Sequence, residues 1–300
     1  MHRKRFNLQL FAAEAGTILS EDLRKVRDVD FVLQFQAGIQ TLQQMLGTTR
    51  RQEKRPGEVL RVLKVEGGLV NDGLNEEGAI IPLSHYETEW EQIGDIDLRS
   101  WRKRVTAKAI AEKGYNQAVR ETDAQMVRDI QKAIRAKFVA NLAMGETTVS
   151  EANLQRTMAQ TWGRLKNLYE DTAVSVVHFI NPMTIADYLG DARGLEVNPG
   201  SFGFTYIENF LGMGRTILAA DIPEGVVYST AMENIVLYFI NVANADLNMA
   251  FSFTTDETGL IGIGNETQLG SLSFDTVTAS GVGLFAEKLT GIVVGTITGA

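Results

Sequence analysis

The hydrophobic pattern of this chain changes period along its length, and the changes mark out an extended arm, a long helix and a mixed domain. Apolar and β-branched residues from Val59 to Val65 predict a strand, and Asn71-Asp72-Gly73 supplies turn chemistry. A return strand is expected to reach Thr106, with Gly94 as a bend. A two-stranded arm of this length is marginal in water by itself. The pattern therefore predicts a subunit that reaches onto its neighbours.

From Ala109 onward, apolar residues recur at three- and four-residue spacing with charged and amide residues between them. That period is typical of an amphipathic helix, which is expected from Glu112 to Ala143 and would span about 48 Å. Gly145 is placed to end it. A weaker helical pattern covers residues 17–48, with Gly47 at its end and an apolar face formed by Val29, Leu33, Gly38, Ile39, Leu42 and Leu46.

Residues 150–262 have the alternation expected of an α/β domain. Ser150 is expected to cap a helix from Glu151 to Tyr169, and Ala173 to Ile180 has the apolar, β-rich composition of a strand buried on both faces. Asn181-Pro182 ends that strand and a short helix follows. The other predictions are strands at Ile217–Ala220, Gly225–Ser229, Ile235–Val242 and Met249–Phe253, a turn region at Asp256–Gly270, and closing strands at Ser271–Glu287 and Ile292–Ile297.

Composition is that of a soluble globular protein, with 44% hydrophobic and 22% charged residues. The absence of cysteine excludes disulfide frameworks, thiolate metal sites and cysteine nucleophiles. No apolar run approaches the length of a membrane span. The opening segment has a basic start, but Asn7 and Gln9 interrupt its short apolar run, so a solvated or partner-bound arm is preferred to a signal peptide.

The net charge of -8 is unevenly distributed. Residues 1–55 hold ten Lys/Arg and six Asp/Glu, which is +4, and the remainder therefore carries -12. An acidic body repels nucleic acid, so any contact with DNA or with a scaffold is expected from the basic cluster Arg3, Lys4 and Arg5.

No set of residues in the sequence forms a recognisable catalytic, cofactor or metal site. The three histidines His2, His85 and His178 have no ligand spacing, and His178 is expected to be a hydrogen-bonded core residue. Ser84-His85 lacks a nucleophile elbow, and the glycine clusters near Gly212 and Gly262 do not complete a dinucleotide fingerprint. The acid pairs Asp95/Asp97 and Asp256/Glu257 supply too few ligands for a dedicated cation site. These observations favour a structural role with no cofactor.

The order of elements resembles the major capsid proteins of tailed bacteriophages, the Hong Kong 97-type fold. The opening Phe6-Asn7-Leu8-Gln9-Leu10-Phe11-Ala12 is similar to the start of such proteins from phages of Gram-positive hosts. Two further segments resemble the extended parts: Gly67-Gly68 through Pro82 is similar to the tip and return of the E-loop, and Val105 to Gly114 is similar to the entry to the spine helix. Two later segments resemble the rest: Val176 to Leu189 is similar to the axial-domain strand and helix, and Thr276 to Ile297 is similar to the closing strands.

The resemblance implies an α+β capsid fold. Its parts would be an N-terminal arm (1–55), an E-loop with flanking strands (56–106), the spine helix of the peripheral domain (107–144), an axial α/β domain (145–270), and a closing peripheral-domain strand with its return to the axial domain (271–300). It also implies hexamers and pentamers that form an icosahedral shell around double-stranded DNA, in a virion assembled in the host cytoplasm. A separate scaffolding protein and a portal are expected as partners, and no membrane.

Contacts between subunits are expected from both the apolar and the charged residues of the arm. The apolar residues are Val59, Val62, Val65, Ile80, Ile81 and Trp90, and the charged ones are Lys64, Glu66, Glu76, Glu77, Arg102 and Arg104.

Three alternatives stay open. An encapsulin-like compartment shell would share the fold but hold a protein cargo. A tail-tube or decoration subunit fits less well, because tube proteins are mostly sheet and this chain predicts a long helix. The third alternative is an α/β enzyme whose site is not apparent from the sequence.

Overall fold

The computed structural model describes residues 20–74, 80–170, 172–191 and 195–299. Its helices are α1 Ser20–Leu46, α2 Ala107–Lys113, α3 Glu121–Leu142, α4 Leu154–Leu168, α5 Pro182–Asp191 and α6 Ala245–Phe251. Its strands are β1 Arg51–Glu53, β2 Glu58–Gly68, β3 His85–Ile96, β4 Arg99–Thr106, β5 Thr147–Glu151, β6 Val176–Ile180, β7 Asn198–Pro199, β8 Thr205–Ile207, β9 Arg215–Leu218, β10 Val226–Ala231, β11 Ile235–Ile240, β12 Ile261–Gln268, β13 Ser273–Ala286 and β14 Ile292–Ile297.

Helix α1 belongs to the body of the subunit. It ends before Gly47, whose φ of 70° is the left-handed conformation that glycine adopts at helix ends. Phe35, Ile39 and Leu42 are fully buried in the main core. The predicted apolar face was partly wrong, because Val29 and Leu33 are exposed. One face of α1 therefore packs into the core, whereas the sequence placed these residues in an arm.

The start of the long helix also differs from the prediction. Gly114, with φ 78°, ends α2, and a single π-helical turn at Asn116–Arg120 then leads into α3. The chain therefore forms two helices where one from Glu112 was expected. The amphipathic pattern itself is confirmed, since α3 buries Val127, Ile130, Ile134 and Phe138 at helical spacing.

A buried ionic cluster fixes α1 to α3 and to the neighbouring sheet. The Arg27 guanidinium lies 2.9 Å from the Asp123 carboxylate, and the Lys103 ammonium lies 2.6 Å from the same group. Arg27 also donates to Asn265 Oδ1 at 2.8 Å and to Thr276 Oγ1 at 3.1 Å. Burial lowers the pKa of Lys103, and Asp123 opposes this effect. Asp28 also pairs with Arg27, at 3.5 Å, so Asp123 is the carboxylate shared by both cations in a cluster of two cations and two acids.

The strands form two body sheets and the separate β2–β3 ribbon. One sheet has the order β1-β11-β13-β12, with β4 also paired to β13. The other has the order β5-β14-β10-β6-β9-β8-β7, and its strand β6 is buried along its whole length as predicted. The proposed boundary at residue 270 does not separate these sheets, because β11 and β12 pair with β13.

Three local predictions after residue 145 were wrong. Asn153 rather than Ser150 caps α4, because its side chain accepts from the Arg156 backbone N–H. The segment expected as a strand at Met249–Phe253 instead contains the end of α6. The expected turn region contains β12, whose glycines let Phe253 pack on the strand, with a Cβ at Gly264 only 3.2 Å from that ring.

Candidate assembly interface

The arm is an antiparallel ribbon of β2 and β3 that begins inside the core and leaves the body. At its base, Leu60, Ile93 and Ile96 are buried and belong to the main core. The register shifts between Leu60 and Arg61, where Ile93 is the extra residue on β3. A bulge of this kind bends a ribbon and increases its twist. The base of the ribbon is thus anchored in the core, and the bulge bends the ribbon at the point where it leaves the body.

One face of the ribbon, here called the outer face, is apolar and uncovered. It carries Leu63 directly opposite Trp90, with Val65 and Tyr86 further along. Leu63 is 44% exposed and Trp90 is 64% exposed. Val59 and Arg61 continue the same face towards the body, since alternate residues of a strand share a face. A strip of large apolar side chains open to solvent is typical of a binding surface.

The opposite, inner face changes from apolar to charged as it leaves the core. Val62 is half-buried and packs against the main core, so the structure places this predicted contact residue against its own chain. Lys64 and Glu66 follow on the same face, with the Lys64 ammonium 3.2 Å from the Glu66 carboxylate. Glu66 lies directly opposite Glu87, a like-charge pair that weakens the ribbon.

Glu91 lies on the inner face, next to the point where the ribbon leaves the body. Burial raises the pKa of Glu91, and the nearby Glu146 carboxylate raises it further, while Lys64 opposes the change. The inner face is therefore acidic and polar, whereas the outer face is apolar. The inner face is suited to contact with water, and the outer face is suited to contact with another apolar surface.

The tip of the arm is more exposed still. Ile80 is 95% exposed and Ile81 is 70% exposed, and the Val70 backbone N–H donates to Ser84 Oγ at 3.4 Å across the neck. Leu69, Leu74 and Leu83 are similarly open to solvent. The predicted contact residues Glu76 and Glu77 lie outside the described residues, as do Arg3, Lys4 and Arg5.

Arg102 and Arg104 leave the arm and enter the body sheet, because β4 pairs with β13. Both guanidiniums bind the carboxylate of Asp275, with Arg104 Nε at 2.6 Å. These two ion pairs hold the pKa of Asp275 well below its usual range, and Arg104 has the larger effect. The structure thus gives both arginines a partner in their own chain, and their role between subunits stays a prediction.

The histidines behave as core and surface residues. His178 is fully buried, with Nδ1 2.7 Å from Ser229 Oγ, and burial lowers its pKa to about 4. The prediction of a hydrogen-bonded core histidine is confirmed. His85 is exposed on the arm, 2.8 Å from Glu87. Within the described ranges, no group of three or more acidic or histidine side chains is placed to hold a metal ion.

None of the described helices is long and apolar enough to cross a membrane.

Sequence reasoning identified the arm but missed some of its exposed residues. Tyr86 and the tip leucines Leu69, Leu74 and Leu83 were not singled out. Strand alternation could have found Tyr86, because it is two and four positions from Thr88 and Trp90. The tip residues follow no period, so only their exposure in the structure reveals them.

Comparison with solved structures decides what fold this arrangement belongs to. The capsid of a native GTA particle matches with a TM-score of 0.57 at 10% identity, over 86% of this chain and 89% of that chain. The capsid of cyanophage A-1(L) matches with a TM-score of 0.53 at 11% identity, over 86% and 93%. The mature capsid of bacteriophage PhiM1 matches with a TM-score of 0.51 at 7% identity, over 84% and 86%.

The chain has the Hong Kong 97-type capsid fold. Identities this low establish the fold and leave its use in this chain to be argued from the residues. No family model and no curated protein matches the sequence. A Gram-positive host stays a prediction from the opening segment.

Proposed function

We propose that this chain is a major capsid protein, which assembles through pentamers and hexamers into an icosahedral shell that encloses double-stranded DNA. The observation that carries the proposal is the uncovered outer face of the arm, on a subunit with the capsid fold. Leu63, Val65, Tyr86 and Trp90 share this face, and each exposes more than two fifths of its surface. A lone two-stranded ribbon is marginal in water, so a neighbouring copy must supply its cover.

The role proposed is structural rather than enzymatic. The buried Ser229–His178 pair has no access to solvent, since both residues are fully buried. The carboxylate of Asp275 is likewise engaged, in ion pairs with two arginines that hold the body sheet together. The exposed apolar surface of the arm is suited to contacts between proteins.

The further partners belong to the same proposal. A scaffolding protein and a portal would guide assembly in the host cytoplasm, and the finished shell would be part of the virion. Any contact with packaged DNA would come from Arg3, Lys4 and Arg5 and would be independent of base sequence, because these residues are basic in a chain of net charge -8.

The test is size-exclusion chromatography of the purified protein, with and without its co-expressed scaffolding protein, followed by negative-stain electron microscopy. Closed shells, or rings of five and six subunits, are expected. A monomer at every concentration in both preparations would contradict the proposal. Shells that co-purify with a protein cargo and no DNA would favour the encapsulin-like alternative.

A further inference from the structure

We infer that two side chains of α3, Lys137 and Asn141, set the direction in which the arm leaves the body. Residues 81–90 of the arm are all exposed, so its direction is determined near its base. The inference rests on the proposed function only for its consequence in assembly, because the direction of the arm is a property of the single subunit.

The bulge leaves a backbone carbonyl of β3 available to another element. Ile93 is the extra residue of the bulge and has no partner across the ribbon. Its side chain is buried in the main core, and its carbonyl oxygen accepts a hydrogen bond from Asn141 Nδ2 at 3.3 Å. Two residues further on, the Asp95 carbonyl oxygen accepts from the Lys137 ammonium at 2.6 Å. The carbonyls on both sides of Gly94 are therefore bound by α3.

The spacing of the two donors matches the spacing of the two acceptors. Residues four apart on a helix are separated by about 6 Å along its axis, and alternate residues on a strand are separated by about 6.6 Å. Lys137 and Asn141 are four apart on one helix, and Ile93 and Asp95 are alternate residues of β3. These two hydrogen bonds, here called the clamp, hold β3 at two points, and two points define an angle as well as a position.

Each donor of the clamp is itself held by other contacts. Asn141 is buried, and its Oδ1 accepts from the Ala286 backbone N–H at 2.7 Å, so one amide joins β3 to the end of β13. The Lys137 ammonium lies 5.6 Å from the centre of the Phe285 ring and 3.3 Å from the Asp95 carboxylate. Donors whose own positions are fixed in this way hold a partner more precisely than mobile ones.

Gly94 lets β3 lie close to the body at the clamp. A Cβ at Gly94 would lie 2.6 Å from a carbon of the Phe285 ring, which is buried. A side chain at this position would therefore push β3 away from the ring or displace the ring itself. The glycine that the sequence marks as a bend is thus the residue between the two clamped carbonyls.

Other contacts at the base hold the ribbon without defining its angle. The three buried apolar residues of the base anchor it, but apolar burial is non-directional. The Gly57 backbone N–H donates to the Ile96 carbonyl oxygen at 3.0 Å, and this bond joins the ribbon to the turn before its own first strand. On the inner face, the Lys64 ammonium is attracted by Glu146 of the body, but Glu146 is exposed, so water weakens this attraction.

A small change of angle at the base becomes a large displacement along the arm. The segment from Arg61 to Gly68 is about 26 Å long at about 3.3 Å per residue. A change of about 10° at the base would therefore move the far end by about 4–5 Å. Copies that are joined by arms of variable direction should still associate, but their assemblies should be irregular.

Distance measurements on the monomer test the clamp. Spin labels are attached at Thr88→Cys on the arm and Gln160→Cys on α4, two exposed positions in a chain that has no cysteine of its own. Double electron–electron resonance then gives the distribution of label distances. Lys137→Met keeps an apolar stem beside Phe285 but removes the donor, and it should broaden the distribution about twofold. Lys132→Met changes an exposed lysine of the same helix and should leave the distribution unchanged.

Two further variants separate the clamp from a general loss of packing. Lys137→Arg keeps a cationic donor and should retain the wild-type width. Asn141→Asp keeps the acceptor for the Ala286 N–H and removes the donor to Ile93, so it should broaden the distribution as well. If circular dichroism shows that Asn141→Asp does not fold, the Lys137 variants decide alone.

A distribution as narrow in Lys137→Met as in the wild type, or equal broadening in Lys132→Met, would overturn the clamp and leave self-assembly standing. Failure of the wild-type chain to assemble would instead overturn the proposed function, while the distances measured on the monomer would still decide the clamp. In electron microscopy, Lys137→Met should give open or misshapen particles. Regular particles from a variant with a broadened distribution would overturn the consequence for assembly.

Discussion

Trp90→Ser should impair assembly strongly while leaving the folded subunit almost unchanged. A tryptophan side chain presents up to about 250 Å², and Trp90 is 64% exposed, which leaves about 160 Å² to be covered by a neighbour. At about 25 cal/mol per Å², complete burial would contribute about 4 kcal/mol per contact. Ordering the arm and imperfect burial offset part of this, so about 2 kcal/mol, or about a 30-fold weaker contact, is expected.

The effect on the isolated subunit is much smaller. Trp90 lies directly opposite Leu63 in the ribbon, and a cross-strand pair contributes about 0.2–1 kcal/mol. The free energy of unfolding of the monomer, measured in urea, should therefore change by less than about 1 kcal/mol. Glu89→Ser is the matched control, because it makes a similar truncation one residue away on the inner face.

Assembly is measured by light scattering and sedimentation over a range of protein concentrations. The Trp90 variant should need about 30 times more protein to assemble, and the Glu89 variant should stay close to wild type. Assembly of Trp90→Ser at the wild-type concentration, or a large loss of monomer stability, would refute the assignment of this face to contacts between subunits.

Three further predictions concern the body and the arm. His178 has a folded-state pKa of about 4 against an ordinary value of 6.5, so only the unfolded chain binds its proton between these values. The contribution of His178 to the free energy of unfolding should be fully present above pH 6.5 and should fall by about 3 kcal/mol towards pH 4. Urea unfolding at several pH values checks this, and a His178→Gln variant with the same slope would contradict it. Asp123→Asn removes the carboxylate that Arg27 and Lys103 share and should lower the free energy of unfolding in urea by about 3 kcal/mol. The exposed Asp129→Asn on the same helix should change that free energy by less than about 0.5 kcal/mol, and equal losses would refute the role of the cluster. Gly67 has φ 121°, and a Cβ there would lie 2.2 Å from the His85 carbonyl oxygen, so Gly67→Ala should open the outer rungs of the arm and speed limited proteolysis there about tenfold. An unchanged rate would count against that strain.

The arm and the buried strand β6 were predictable because their signals are local. Strand composition and turn residues identified the two halves of the arm, and an apolar, β-rich run from Ala173 to Ile180 identified β6. The strand β14 has the predicted bounds Ile292–Ile297. In each case the residues of the segment itself carry the signal for the element, so no knowledge of distant contacts is needed.

Other features depend on contacts between distant residues. β12 has the glycine-rich composition of a turn, and it is a strand because Phe253 packs on its glycines and β13 pairs with it. The mixed pattern of α1 hid its buried face, which is specified by packing in the core and by Arg27 reaching Asp123. The division of the arm into outer and inner faces depends on the register and the bulge at Ile93, which strand alternation alone does not supply.

The most direct test compares the wild-type chain with one that lacks the projecting part of the arm. Val62 and Glu91 lie opposite each other, so residues 63–90 can be replaced by an Asn-Gly turn that leaves the buried base intact. Both proteins are purified in the same way and examined by sedimentation and electron microscopy. The wild-type chain should form shells or rings, and the shortened chain should be a folded monomer. Equal assembly by the shortened chain would contradict the claim that the arm joins the subunits.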